Sequence, residues 1–286
     1  MDLLTNAFEA IRDGNPAALE QLMEQGAHTP VTPREFEAFT QRFAPEEKQW
    51  LRGQVNIHGM GGSGLPKVNL TSIACLYLAA GWKIPIVKTG SRKNTGVMGS
   101  TDFFEELGIL HAPDKKRLLE EFGFAYFDFL TLSPWKAYKP ILRKNADIDK
   151  LLGEYHFFEY EIGVLGLGVS SGELYDRFLS QTHFPKPGRI FTYFSRTEEG
   201  LMDEILPAAP PPRRLLTRQE VSRMDHALTF GRDADAFWLS ALRESVALFA
   251  RELGAVTCLE EGRERFDKLY AHRAVATMLA QMQNLH

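Results

Sequence analysis

Cysteine is scarce in this 286-residue chain, which has only Cys75 and Cys258. Two cysteines are too few for a disulfide framework or for a metal site built from thiolates. Cys75 lies in the apolar run from Ile73 to Ala80. We therefore expect it to be a small, buried hydrophobic residue rather than a reactive thiol.

Long apolar runs are also missing. No stretch approaches the roughly 18 uninterrupted apolar residues that a membrane-spanning helix needs. The first six residues, MDLLTN, show no basic segment followed by a long apolar one, as a secretory leader would. The sequence thus predicts a cytoplasmic protein without a membrane partner.

An excess of charge of either sign is absent as well. The 33 basic and 37 acidic residues give a formal net charge of -4, which creates no overall attraction to nucleic acid or anionic membranes. There is no repeat and no low-complexity tract. A hydrophobic content of 44% is sufficient for a sizeable core, in one large domain or in a large and a small one.

The first fifty residues predict helices. Apolar residues recur at helical spacing from Leu3 to Ile11, and Asn15-Pro16 is typical of a helix start. The segment from Thr32 to Glu35 indicates a capped third helix that runs to about Phe43, and a fourth is expected to begin at residues 44–46. We predict a small helical domain over residues 1–52, completed by a hinge segment near residues 144–158.

From Val55 onward, short apolar strands alternate with helical segments, which predicts an α/β domain over residues 53–286. The expected architecture is a mainly parallel central sheet flanked by helices. A proline-rich connector at residues 207–212 precedes two long helices. The predicted strands are 55–58, 84–87, 124–127, 160–166 and 190–194, and the predicted helices between them are 69–81, 100–107, 118–121 and 171–180.

Four polar motifs follow one another in this domain: a glycine-rich turn at residues 58–64, a helix start at 69–72, a lysine turn at 88–92 and a Gly-Ser turn at 99–102. Glycine backbone N–H groups can wrap a polyanion because no Cβ blocks the approach. Helix N-termini add unpaired N–H donors and the positive end of a dipole. The ordered set predicts a phosphate or pyrophosphate cradle.

These motifs resemble those of anthranilate phosphoribosyltransferase and its relatives, a family that also includes the pyrimidine nucleoside phosphorylases. The likeness is good over residues 54–108 and moderate over residues 200–276. The family's Gly-Thr-Gly-Gly-Asp, Asn-Ile-Ser-Thr, Lys-His-Gly-Asn-Arg and Ser-Gly-Ser-Ala-Asp motifs correspond here to residues 59–63, 69–72, 88–92 and 98–102, and its Gly-Leu-Asp-Glu and Leu-Glu-Glu-Gly motifs to residues 200–204 and 259–262.

The resemblance implies a homodimeric transferase that uses phosphoribosyl pyrophosphate as donor and Mg²⁺ as cofactor. Asp203 and Glu204 are placed by it to hold the magnesium ion, whose ligands are oxygen atoms. No catalytic residue is assigned. The residues that the resemblance implies in substrate binding are Gly59, Gly61, Gly62, Asn69, Thr71, Ser72, Lys88, Gly90, Ser91, Arg92 and Ser100.

Several positions depart from the family pattern. Ser63, Thr89 and Ser91 replace an aspartate, a histidine and an asparagine, and Arg243 replaces an asparagine of a late helix. The hinge segment that supplies the arginine for the carboxylate of anthranilate is absent. The expected acceptor is therefore a nitrogen of a small aromatic or heterocyclic molecule other than anthranilate.

Two other functions stay open at this point. Residues 135–139, with Arg143 and Lys144, form a cationic and aromatic segment. It could stack on and charge-pair with an acceptor, bind single-stranded nucleic acid in an inactive relative, or form the solvated face of a helix. A nucleoside phosphorylase is the third possibility. Taken singly, Thr71 and Ser72 are ordinary helix caps, and Lys88 is an ordinary surface lysine.

Overall fold

The structure is a computed structural model that describes residues 2–42, 49–50, 55–59, 68–90, 92, 97–109, 114–128, 137–145, 147–148, 158–159, 162–167, 189–194 and 216–284. The chain divides into two compact units. The predicted α/β architecture with a parallel sheet and an N-terminal helical region is confirmed. The helix expected at 171–180 and the connector at 207–212 lie outside the described residues.

The first unit contains helices α1 (Leu3–Arg12), α2 (Pro16–Gln25), α3 (Pro33–Arg42) and α7 (Lys139–Leu142), and a short parallel pair of strands, β1 (Gln49–Trp50) and β5 (Phe158–Glu159). The Asn15 side chain accepts from the backbone N–H of Ala18 and so caps α2, as predicted from Asn15-Pro16. The residues from which a fourth helix was expected to start are outside the described ranges, and the next described residues form strand β1.

The segment after α7 packs within this first unit. The Asn145 side-chain amide donates to the carbonyl oxygen of Gly26 at 2.7 Å, and the Asp147 carboxylate accepts from the Val31 N–H at 3.2 Å. Lys144 pairs with Glu20 and Glu24 at 2.9 and 3.0 Å. These contacts support the proposal that a segment near 144–158 completes the small helical domain.

The second unit is built on five parallel strands in the spatial order β4-β3-β2-β6-β7. The chain moves outward from β2 through β3 to β4, and then continues on the other side of β2 with β6 and β7. The order therefore reverses between β2 and β6, where Gly59 pairs with Gly166. The strands are β2 (Val55–Gly59), β3 (Ile86–Gly90), β4 (Phe124–Asp128), β6 (Ile162–Leu167) and β7 (Arg189–Phe194).

Helix α4 (Leu70–Trp82) is the centre of the core. Almost every residue from Leu70 to Gly81 is buried, because α4 packs against the sheet and also against the C-terminal helices. An all-round apolar sequence suits a helix covered on both sides. The remaining helices of this unit are α5 (Ser100–Glu106), α6 (Lys115–Phe122), α8 (Arg218–Thr229), α9 (Ala236–Glu252), α10 (Leu259–Ala271) and α11 (Ala274–Gln283).

Two sequence predictions in this region were wrong in detail. A single helix was expected from Leu259 toward the C-terminus, but Arg273 adopts the left-handed conformation at φ 52° and separates α10 from α11. Helix α8 was not predicted, although Thr217 and Glu220 form a capping box at its start. Gly108, expected to end the α5 segment, does so at φ +73°. None of the helices described is both long and apolar enough to cross a membrane.

Candidate functional site

Three residues of the predicted cradle meet in space. The hydroxyl of Ser72 in the first turn of α4 donates to the hydroxyl of Ser100, the first residue of α5, at 3.1 Å. Gly90 ends β3 directly beside them, and a Cβ at this position would stand 2.8 Å from the Cβ of Ser100. Only glycine lets the end of the strand approach the start of α5 this closely.

These residues lie beyond the carboxyl ends of neighbouring parallel strands. The chain passes from β2 through the glycine-rich segment into α4, and from β3 into α5. Ligands of open α/β sheets bind at this edge, in the crevice where the strand order reverses. That crevice lies between β2 and β6, where the backbones of Gly59 and Gly166 are neighbours.

The start of α4 has an unusual cap. Asn69 occupies the N-cap position, but its side chain makes no capping hydrogen bond to the helix. Its amide Nδ2 donates instead to Asp225 Oδ2 at 2.7 Å, and its backbone N–H donates to Asp225 Oδ1 at 2.8 Å. The first-turn N–H groups of α4, including that of the half-buried Thr71, therefore donate no bond to the N-cap side chain.

Asp225 is a residue near the candidate site that the sequence motifs do not predict. It lies on α8 and is fully buried, and burial raises the pKa of its carboxyl group to about 7, while the hydrogen bonds from Asn69 act in the opposite direction. The capping box formed by Thr217 and Glu220 was the signal that could have revealed the helix carrying it. Nothing in the sequence links Asp225 with Asn69, which is 156 positions away.

Lys88 differs from its prediction as a residue of a turn. β3 continues through Lys88 and Thr89 to Gly90, and the Lys88 side chain is buried, with Nζ donating to the Thr89 carbonyl oxygen at 2.8 Å. Burial lowers the pKa of the ammonium group to about 8, an effect that Cys75 partly opposes. Among the described residues, no carboxylate forms an ion pair with Lys88. Cys75 is itself a free, buried thiol, as predicted, and burial raises its pKa to about 12.

Arg92 is held by acidic groups of α5. Its guanidinium donates to Asp102 at 3.2 Å and to Glu105 at 3.0 Å. Asp102 also accepts from the Gly99 N–H at 2.9 Å, so one buried carboxylate joins Arg92 to the start of α5. Arg92 thus fastens the segment after β3 to α5.

The remaining predicted residues are placed only in part, or not at all. Gly59 is described by its backbone alone, at the end of β2. The described residues contain no group of three or more His, Cys, Asp or Glu side chains that could hold a metal ion. Gly61, Gly62, Ser91, and the predicted metal ligands Asp203 and Glu204 lie outside the described residues.

Two substituted positions have other roles in the structure. Thr89 is buried within β3. Arg243 makes two 2.8 Å hydrogen bonds to Asp267 and lies 3.7 Å from Glu244, so its charge is engaged between α9 and α10. These contacts support a structural role for Arg243 and not a binding role like that of the family asparagine.

Comparison with known proteins supports the likeness inferred from the motifs. No protein-family model matches the chain. The chain is 28% identical over 173 residues to the anthranilate phosphoribosyltransferase of Gluconobacter oxydans strain 621H, a match that covers 55% of this chain and 45% of that relative. The matched segment thus spans less than half the length of the relative.

The fold is similar over a much longer stretch. The anthranilate phosphoribosyltransferase of Thermus thermophilus superposes with a TM-score of 0.70 at 20% identity, over 99% of both chains. The Saccharomyces cerevisiae enzyme, in complex with PRPP (phosphoribosyl pyrophosphate) and Mg, gives a TM-score of 0.71 at 14% identity, over 95% of this chain and 84% of that one. The chain is thus similar to anthranilate phosphoribosyltransferases, in sequence over about half of its length and in fold over nearly all of it.

Proposed function

We propose that the protein is a Mg²⁺-dependent phosphoribosyltransferase that uses phosphoribosyl pyrophosphate as its donor. The observation that carries the proposal is the meeting of Ser72, Gly90 and Ser100 beside the uncapped start of α4. Two hydroxyl groups, and first-turn N–H groups that the Asn69 side chain does not cap, suit a phosphate group at the carboxyl edge of a parallel sheet. The complex of the yeast relative with PRPP and Mg supports the same donor.

In the proposed reaction, the bond between the ribose C1′ and pyrophosphate breaks and a bond from C1′ to an acceptor nitrogen forms. Pyrophosphate leaves, and the acceptor nitrogen loses a proton. Since negative charge grows on the leaving group, groups that stabilise it are the main catalytic need. Ser72, Ser100 and the α4 N-terminus would hold phosphate oxygens, and the buried Lys88 adds positive charge on β3.

Magnesium would be held by Asp203 and Glu204, together with phosphate oxygens of the donor. Bound magnesium would neutralise charge on the pyrophosphate. The support for these two residues is their motif, Gly200-Leu201-Met202-Asp203-Glu204. The described residues contain no cluster of three or more His, Cys, Asp or Glu side chains that could hold a metal ion. The roles given above to Ser72, Ser100 and Lys88 do not depend on such a cluster.

The proposed acceptor is a nitrogen of a small aromatic or heterocyclic molecule other than anthranilate. The argument is the loss of family residues at Ser63, Thr89 and Ser91 and of the hinge arginine, while the donor motifs remain. Binding of nucleic acid is disfavoured, since Glu20 and Glu24 already pair with Lys144 of the basic segment. We further propose that the protein is a cytoplasmic homodimer, with a small helical domain at residues 1–52 and the α/β domain at residues 53–286.

The test begins with calorimetric titration of the full chain with phosphoribosyl pyrophosphate, with and without MgCl₂. Asp203→Asn is run in parallel, and we expect it to weaken only the magnesium-dependent binding. Pyrophosphate release is then measured with a panel of aromatic amines and heterocycles that includes anthranilate. Absence of donor binding would overturn the proposal, and turnover with anthranilate would overturn its acceptor part. Phosphorolysis of a nucleoside panel, run beside it, would identify a phosphorylase instead.

A further inference from the structure

Asp225 is a buried carboxylate whose two oxygens are both used by one residue. Oδ1 accepts the Asn69 backbone N–H at 2.8 Å, and Oδ2 accepts the Asn69 side-chain amide at 2.7 Å. Asp225 is 0% exposed, and burial raises the pKa of its carboxyl group, to which the negative charge of Glu106 adds a smaller effect. Burying a carboxylate is costly unless hydrogen bonds compensate. Because both of its oxygens bond to Asn69, the Asp225 carboxylate acts on its surroundings through that residue.

That effect is exerted on the start of α4. An asparagine at an N-cap normally turns its side-chain oxygen to the N–H groups of the first turn. Here the side chain makes no such bond, because Asp225 holds its amide. The first turn of α4 thus keeps N–H donors that a free asparagine would occupy, next to Ser72, whose hydroxyl meets that of Ser100.

Helix α8, which carries Asp225, is also attached to α5. Ser222 Oγ donates to Glu106 Oε2 at 2.6 Å, and Arg218 lies 3.6 Å from the same carboxylate. α8 therefore contacts both helices whose first turns supply Ser72 and Ser100. The attachment through Asp225 is the buried one, since Arg218 is about half exposed.

We propose that Asp225 is a positioning residue for the donor site: it holds Asn69 away from the N-terminus of α4 and so leaves that terminus open to a phosphate group. This inference rests on the proposed function. It makes a distinctive prediction. Without the carboxylate, Asn69 turns back, caps α4 and competes with the donor phosphate.

The experiment compares the full-length wild type with Asp225→Ala, Asn69→Gly and the double variant Asn69→Gly/Asp225→Ala. Dissociation constants for phosphoribosyl pyrophosphate with MgCl₂ are measured by calorimetry. We expect Asp225→Ala to weaken binding about 10-fold, the effect of one or two lost hydrogen bonds to a charged group. In the Asn69→Gly background, the change Asp225→Ala should alter the affinity by less than about 3-fold, because a glycine has no side chain with which to cap α4.

A merely structural role gives the opposite pattern. If the carboxylate only stabilises the fold, Asp225→Ala weakens binding as much in the Asn69→Gly background as in the wild type, and this result overturns the proposal. Wild-type affinity in Asp225→Ala overturns it too. Circular dichroism checks folding. Should Asp225→Ala fail to fold, Asp225→Leu, which has a similar shape but no hydrogen-bond acceptor, takes its place, alone and with Asn69→Gly, and is read by the same criteria.

Titration with pyrophosphate alone separates this inference from the proposed function. If the wild type binds pyrophosphate but not the magnesium-bound donor, the proposed transferase fails, and the four affinities for pyrophosphate still decide the role of Asp225. If the wild type binds neither anion, the open helix start has no phosphate to receive and both proposals are overturned.

Discussion

The hydroxyl groups of Ser72 and Ser100 lie 3.1 Å apart although 28 residues separate them in the chain. Each belongs to the first turn of a helix that follows a parallel strand, so the contact joins two helix starts at one edge of the sheet. A phosphate group at this place would accept hydrogen bonds from both hydroxyls once the Ser72 proton turns from Ser100 to the anion. Ser72 is buried, whereas Ser100 is partly exposed. A ligand can therefore reach the Ser100 hydroxyl group from solvent.

We therefore expect Ser72→Ala and Ser100→Ala each to weaken binding of phosphoribosyl pyrophosphate by about 10- to 100-fold, the range for a lost hydrogen bond to a charged group. Calorimetry with MgCl₂ measures the change. The matched control is Thr277→Ala, which removes a hydroxyl from an exposed position on α11 and should leave the affinity unchanged. Wild-type affinity in both serine variants would falsify the assignment of the site.

Gly90 is expected to tolerate no side chain. In Gly90→Ala, the new Cβ would stand 2.8 Å from the Ser100 Cβ and 3.0 Å from the Tyr126 hydroxyl. Overpacking of this kind costs about 1–3 kcal/mol in the free energy of unfolding. Urea denaturation measures this loss. Adding Ser100→Gly removes the nearest contact and should restore part of the stability, so an unchanged double variant would contradict the steric explanation.

We expect the Lys88 side chain to lower the free energy of unfolding at neutral pH. A folded-state pKa of about 8 against an ordinary 10.5 means that the charged lysine is disfavoured in the native protein. The difference corresponds to about 3 kcal/mol, fully present below pH 8 and lost as the pH rises toward 10.5. We expect Lys88→Met to stabilise the protein at pH 7 by about 2 kcal/mol, after subtracting the lost hydrogen bond to Thr89.

Denaturation of Lys88→Met and the wild type at several pH values tests this. The two unfolding free energies should converge between pH 8 and 10, and binding of phosphoribosyl pyrophosphate should weaken if the charge serves the donor. The control, Lys116→Met, changes an exposed lysine of α6 and should stay within about 0.5 kcal/mol of the wild type at every pH. A destabilised Lys88→Met at pH 7 would contradict the argument.

Sequence patterns were informative where local rules decide the structure. The capping residues Asn15 and Thr32, and the apolar spacing of α9, correctly predicted the start or extent of helices. β3 was extended beyond its prediction, because Lys88 and Thr89 look like turn residues until neighbouring strands bury them. Polar residues inside a parallel sheet depend on contacts that lie far along the chain.

The same limit applies to the candidate site. The order of the glycine, serine and lysine motifs predicted which segments meet, and Ser72, Gly90 and Ser100 do meet. The use of Asn69 could not be predicted from its neighbours, since an asparagine before a helix is by itself an ordinary cap. Its partner Asp225 is 156 positions away on α8, and no local pattern connects the two residues.

A partly buried ion pair between α9 and α10 supports the helices that cover α4. The Glu244 side chain is 8% exposed and receives hydrogen bonds from Arg263 Nε and Nη2, both at 2.8 Å. Arg263→Met would leave a buried carboxylate without its main partner, which typically costs about 3–5 kcal/mol. We expect a loss of about 3 kcal/mol in the free energy of unfolding, because Arg243 still lies 3.7 Å from Glu244.

Urea denaturation of three variants tests this interpretation of the pair. Arg263→Met should be the least stable, whereas Arg263→Met/Glu244→Gln should recover part of the loss, since no unpaired charge then remains buried. The control Arg251→Met breaks a largely exposed pair with Glu252 on α9 and should cost less than about 1 kcal/mol. Equal losses in the free energy of unfolding of Arg263→Met and Arg251→Met would contradict this interpretation, because burial of Glu244 would then not change the contribution of the pair to stability.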